Sequence, residues 1–163
     1  MATLQLYLIP RFDRGFYDFG EGDMYVTGIY LTEYFNSVCS GVSGFEGSDY
    51  HWEGAASNVR DTDLVCYVLA NQGRSIAARH SDGTLGDGGS TVWSTRAHAM
   101  ITEVYMTAVE GDASRSRLLA NLIFHEFMHN KLDSHPSRSV LPDVHAIRDG
   151  RLSHVPVNSS MRP

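Results

Sequence analysis

Three histidines and a glutamate sit close together in "NLIFHEFMHNKLDSH", residues 121 to 135. On a helix, residues four apart lie one above the other, so His125 and His129 can offer two imidazole nitrogens to one metal ion. Glu126 follows the first histidine by one residue, which places its carboxylate beside such a metal rather than on it. In this H-E-x-x-H arrangement two histidines ligate zinc and the glutamate takes a proton from the attacking water. The competing interpretation is a core helix with histidines on its surface.

A catalytic zinc keeps three protein ligands and leaves one position for water and substrate. The candidates for the third are Asp133, His135, Asp143, His145 and His154. His135, six residues past His129, is the preferred one.

"HEFMHNKLDSH" resembles the extended zinc motif of the metzincin metallopeptidases, H-E-x-x-H-x-x-G-x-x-H, in all three histidines and the glutamate. It departs at the glycine, where this chain has Leu132. In that family the glycine takes a left-handed turn that brings the third histidine to zinc, a conformation a branched residue resists and Asp133 tolerates better. The resemblance implies a zincin-like fold with one catalytic Zn2+ held by His125, His129 and His135, Glu126 as base and then acid, and a protein or peptide substrate. It further implies that "TVWST" is an exposed edge strand whose residues Thr91, Val92, Trp93 and Ser94 receive an extended peptide by main-chain hydrogen bonds. Met161 takes the place of the methionine turn beneath the zinc. For the oxyanion, His145, Arg148, Arg151 and His154 are the side chains available.

Around this helix the chain must supply a scaffold. "TLQLYLIP", residues 3 to 10, alternates and is expected to be a half-buried strand. Residues 24 to 38 are expected to be a helix capped by Asp23, with Tyr25, Val26, Ile29, Tyr30, Phe35 and Val38 at helical spacing. Residues 40 to 60, rich in Gly, Ser and Asp, have no period and are taken as loop. "TDLVCYVLA", 62 to 70, is a continuous apolar run of the kind a buried central strand shows. Strand-like segments follow at 75 to 80, 91 to 95 and 99 to 108, with a glycine-rich loop at 81 to 90. Asp112 or Ser114 then caps the active-site helix, whose apolar face is Leu118, Leu119, Leu122, Ile123, Phe127 and Met128. The part from 133 onward carries prolines and no sustained period. The order of elements is α+β: a mixed, twisted sheet of about four or five strands, an N-terminal helix, the helix carrying HExxH, and an irregular C-terminal part.

A chain of 163 residues is expected to be one domain, 1 to 163, folding alone as a monomer. Net charge is −6 with pI near 5.7, and no basic run tracks a phosphate backbone, so nucleic acid is not the expected partner. "LVCYVLA" is too short to span a bilayer, no membrane partner is expected, and "MATLQLYLIPRFDRG" lacks a signal-peptide layout. Cytoplasmic residence or a signal-less export route follows as the expectation. Cys39 and Cys66 permit one disulfide at most and are expected to be buried free thiols. His51, His80 and His98 are isolated and receive no role.

Three other readings share part of the pattern. Peptide deformylases carry HExxH with an upstream cysteine ligand, but neither cysteine here has that family's context. The ribosomal-RNA maturation nucleases resemble the histidine spacing yet have glycine where Glu126 stands. A binding module with a structural zinc would close the site with a fourth protein ligand.

Overall fold

The computed structural model describes residues 2–13, 18–38, 45–55, 59, 63–79, 85–86, 88–94 and 99–134. They form an α+β fold of five strands and two long helices: β1 (Ala2–Arg11), α1 (Glu21–Val38), β2 (Phe45–Trp52), β3 (Leu64–Leu69), β4 (Gly89–Ser94), β5 (Ala99–Tyr105) and α2 (Arg115–Ser134). Short 3₁₀ turns occupy Gln72–Arg74, Ala77–Arg79 and Met106–Ala108. The sheet order is β2-β1-β3-β5-β4. β1 is parallel to β2 and β3, β3 is parallel to β5, and β4 alone runs antiparallel, against β5 at the edge.

The apolar run at 64 to 69 lies at the centre of the sheet, where burial on both faces favours an unbroken hydrophobic strand. Alternation divides β1 between the two faces. Leu6 and Leu8 join the core under the helices, and Ile9 is buried on the opposite side. α1 and α2 pack on one face and against each other through Tyr34, Phe35, Phe124 and Phe127. Ring centroids lie 5.0 Å apart for Phe35 and Phe124 and 5.9 Å for Tyr34 and Phe124, the second pair edge-on. Truncating one such buried phenylalanine to alanine costs about 3 to 5 kcal/mol.

Four expectations are corrected. α1 begins at Glu21, not at residue 24, and Asp23 lies in its first turn. Its carboxylate accepts from Gly20 N at 3.2 Å while Gly20 O accepts from Met24 N at 3.1 Å, so the cap sits further upstream. The buried face of α1 is also rotated from the expected one. Met24, Thr27, Leu31, Tyr34 and Phe35 are buried, whereas Tyr25 is 61% and Val26 40% exposed.

β2 falls inside the segment taken as loop. "FEGSDYHW" lacks apolar alternation because its inward residues work through other means: Ser48 Oγ donates to Asn36 Oδ1 at 3.0 Å, and Trp52 Nε1 donates to Met24 O at 2.9 Å. Tyr50 lies where a Cβ on Gly28 would be, 2.3 Å from its ring, which explains a glycine inside α1. On the outward face His51 stacks on Tyr7 at 4.8 Å, and its Nε2 is 2.6 Å from Gln5 Oε1.

The strand expected at 75 to 80 is instead the 3₁₀ turn Ala77–Arg79. The amides of this segment are taken by side chains: Ala78 N donates to Ser75 Oγ at 3.0 Å, and Ile76 N and Ala77 N donate to Glu103 Oε2 on β5 at 2.9 and 3.2 Å. Groups bonded in this way are withdrawn from a strand ladder.

Candidate metal and proton-transfer site

α2 carries the HExxH residues. Asp112 Oδ1 accepts from Ser114 N at 2.7 Å, and Ser114 O accepts from Leu118 N at 3.0 Å, which starts the helix where the capping signal lay. Leu119, Leu122, Ile123, Phe127 and Met128 are buried as expected, with Phe124 added to them. Leu118 is half-buried against the same cluster. This apolar grip fixes the rotation of the helix about its axis and so the direction of its polar residues. His125 is half-buried and Glu126 only 7% exposed. His129 belongs to α2, one turn beyond His125, but its side chain lies outside the described atoms.

Glu126 is held by the edge strand. Thr91 Oγ1 donates to its Oε2 at 2.7 Å and lies 2.9 Å from its main-chain oxygen. Two residues back on β4, Gly89 makes room for it: a Cβ there would stand 3.0 Å from Glu126 Cγ, 2.7 Å from Glu103 O and 3.1 Å from Val104 Cγ1. Burial pushes the Glu126 carboxyl up to about 7, the bond from Thr91 pulling down and the charge of Glu103 adding to the rise. A carboxyl balanced near neutrality can both take and return a proton.

Behind β5 lies a second buried carboxylate. Glu103 is fully buried and accepts from Tyr105 Oη at 2.8 Å, from Ser75 Oγ, and from the two amides named above. Burial pushes Tyr105 up to about 12, the bond to Ser90 opposing and Glu103 adding. Cys66 is a buried free thiol held well above the ordinary range by burial, with the charges of Glu126 and Glu103 adding, which favours the neutral thiol. Cys39 lies outside the described residues.

Of the proposed substrate-binding residues, Thr91 and Val92 are half-buried in β4. Trp93 and Ser94 continue that strand at the sheet edge, their side chains outside the described atoms. The hydroxyl of Thr91 faces Glu126, a partnership the sequence did not disclose. Gly89 and Glu103 were missed as well. The available signal was a charged residue inside the otherwise apolar strand "AMITEVY".

α2 continues through Ser134, so Leu132 and Asp133 are helical, and the left-handed turn implied at that point is not there. His135 and Met161 lie outside the described residues, as do Asp143, His145, Arg148, Arg151 and His154. Among the described residues no group of three or more His, Cys, Asp or Glu side chains converges on one point. By residue type, two histidines one helical turn apart on α2, His125 beside the buried Glu126 carboxyl, suit zinc, which would need further ligands from outside the described residues. No helix among the described residues is long and apolar enough to cross a membrane. Comparison of the chain with protein-family models, curated protein sequences and solved structures returned no match.

Proposed function

We propose that the chain is a zinc-dependent endopeptidase of zincin-like, metzincin-related build, hydrolysing peptide bonds with Glu126 as the proton-transferring base. The observation that carries this reading is the hydrogen bond from Thr91 in the edge strand to Glu126 in the HExxH helix. It joins the strand on which an extended peptide could lie to the group that would activate water.

In this mechanism His125 and His129 would hold the metal, with His135 as third ligand. Lewis acidity toward the scissile carbonyl and the attacking water is the chemistry a bound zinc supplies. Glu126 takes the proton of that water and later passes it to the leaving amine. The bond from Thr91 to Oε2 fixes the orientation of the carboxyl that exchanges the proton. The edge of β4 turned away from β5, which pairs with no other strand among the described residues, would receive the substrate main chain through residues 91 to 94, an addition that needs no particular side-chain sequence and leaves selection to pockets elsewhere.

The test is zinc content by elemental analysis together with casein cleavage, on wild type, Glu126→Gln and His135→Ala. Equimolar zinc in the wild type, cleavage lost in Glu126→Gln with zinc retained, and zinc lost in His135→Ala are expected. Wild type without zinc would overturn the reading. Zinc bound by four protein donors, seen by X-ray absorption, would turn it into a structural module.

A further inference from the structure

The chain leaves β1 and β3 toward opposite faces. After Arg11 it leads to α1 on the helical face, and after Leu69 it leads to the 3₁₀ turns bonded to Glu103 on the other. β1 and β3 are parallel neighbours and end side by side, Arg11 paired with Leu69. Where successive connections of parallel strands part in this way, a crevice opens beyond their carboxyl ends, and ligands favour such crevices. Here it is a cleft of about 700 Å³, its lining including Arg11, Phe12, Asp13, Leu69, Arg74 and Ile76. That volume is in the range of small-molecule sites.

Among the described residues of the lining, two arginines stand against one aspartate, a positive balance in a chain of charge −6. Arg11 is anchored through one guanidinium nitrogen, which donates to Gly54 O at 2.7 Å, leaving the rest of its fork to point elsewhere. Arg74 is exposed, and its side chain has no partner among the described residues. Its main chain, by contrast, is held. Arg74 N donates to Asn71 O at 3.0 Å, and the next two residues are bonded to the fully buried Glu103. A rigid base under an unoccupied guanidinium suits recognition, because little backbone order must be gained on binding. Phe12 and Ile76, both half-buried, supply apolar surface in the same cleft.

We propose that this cleft binds a small organic anion, with a carboxylate or phosphate group between Arg11 and Arg74 and an apolar body against Phe12 and Ile76. Guanidinium forks pair with two oxygens of such groups at once. The lining shares no residue with the Glu126 site, and binding is independent of zinc.

The test uses the full chain treated with chelator, titrated with phenyl phosphate, 3-phenylpropionate and inorganic phosphate and followed by amide NMR. At least one aromatic anion is expected to shift the resonances of residues 10 to 13 and 74 to 76 and to bind more tightly than inorganic phosphate. The stronger of the two aromatic probes identifies the anionic group. Arg74→Ala and Arg11→Ala should each weaken it about tenfold, the loss of a charge-assisted bond, with the remaining spectrum unchanged. No shift in those residues at millimolar probe, or an affinity unchanged in Arg74→Ala, would overturn the proposal.

Discussion

Thr91 and Gly89 divide the seating of Glu126 between a hydrogen bond and an empty space. The two contributions separate by substitution. Thr91→Val keeps shape and removes the donor to a buried carboxylate, which should lower kcat for peptide cleavage by about ten- to a hundred-fold at unchanged zinc content, while Thr91→Ser recovers most of it. Equal loss in both variants would mean that the methyl group, not the hydroxyl, matters. Gly89→Ala brings a Cβ against a main-chain oxygen that cannot swing aside. Overpacking of this kind should cost about 1 to 3 kcal/mol, read as a lower urea midpoint at constant slope. Histidines and glutamate at one-turn spacing were legible in the sequence because helical geometry alone relates them. Thr91, 35 residues away from Glu126, was assigned to main-chain contact with substrate, since nothing local says which way its hydroxyl points. His129's ligation, His135 and Met161 rest on the motif.

At the scale of elements, the two helices are tied at their starts as well as along their cores. Arg115 Nη2 and Ser116 Oγ of α2 donate to the Asp23 carboxylate of α1 at 3.2 and 3.0 Å. Burial raises the Asp23 pKa, but the bonds from Gly20, Ser116 and Arg115 outweigh it and hold the group below the ordinary carboxylate value. A depressed pKa in the folded state stabilises the fold above the unfolded pKa, and that contribution is lost as pH falls through the folded pKa. The stability gap between wild type and Asp23→Asn should therefore be present at neutral pH and close under acid, in denaturation curves taken from pH 7 to pH 2. A gap independent of pH would assign the effect to the amide's altered bonding. Long apolar periods made α2 and β3 legible, because burial on a wide face forces the pattern. β2 and the turn at Ala77–Arg79 were not, because polar side chains, Ser48 and Trp52 in one and Ser75 and Glu103 in the other, replace the hydrophobic signature. α1 was placed to within three residues at its start, yet its inward face was misread. Aromatic residues occur on both sides of it, and only the docking of α2 decides between them.

For the whole molecule, the sheet and both helices share one continuous core, while the segment over the opposite face is bonded to Glu103 through Ser75, Ile76 and Ala77. The strand order could not be read from the sequence. Element types follow from local pattern, but which strands become neighbours depends on crossovers that local pattern does not encode. The dependence on α2 has a consequence during synthesis. All five strands and α1 emerge from the ribosome before Leu119, Ile123, Phe124 and Phe127 do, and those residues complete the core. A nascent chain halted at residue 112 would thus present Cys66 and Val68 of β3 and Val104 of β5 without the cover of α2. Such a chain should fail to unfold cooperatively, bind a hydrophobic dye and engage chaperones, and a peptide of residues 111 to 134 supplied in trans should reverse this. The helix that carries the proposed site is thus also the helix that closes the core formed by the described residues.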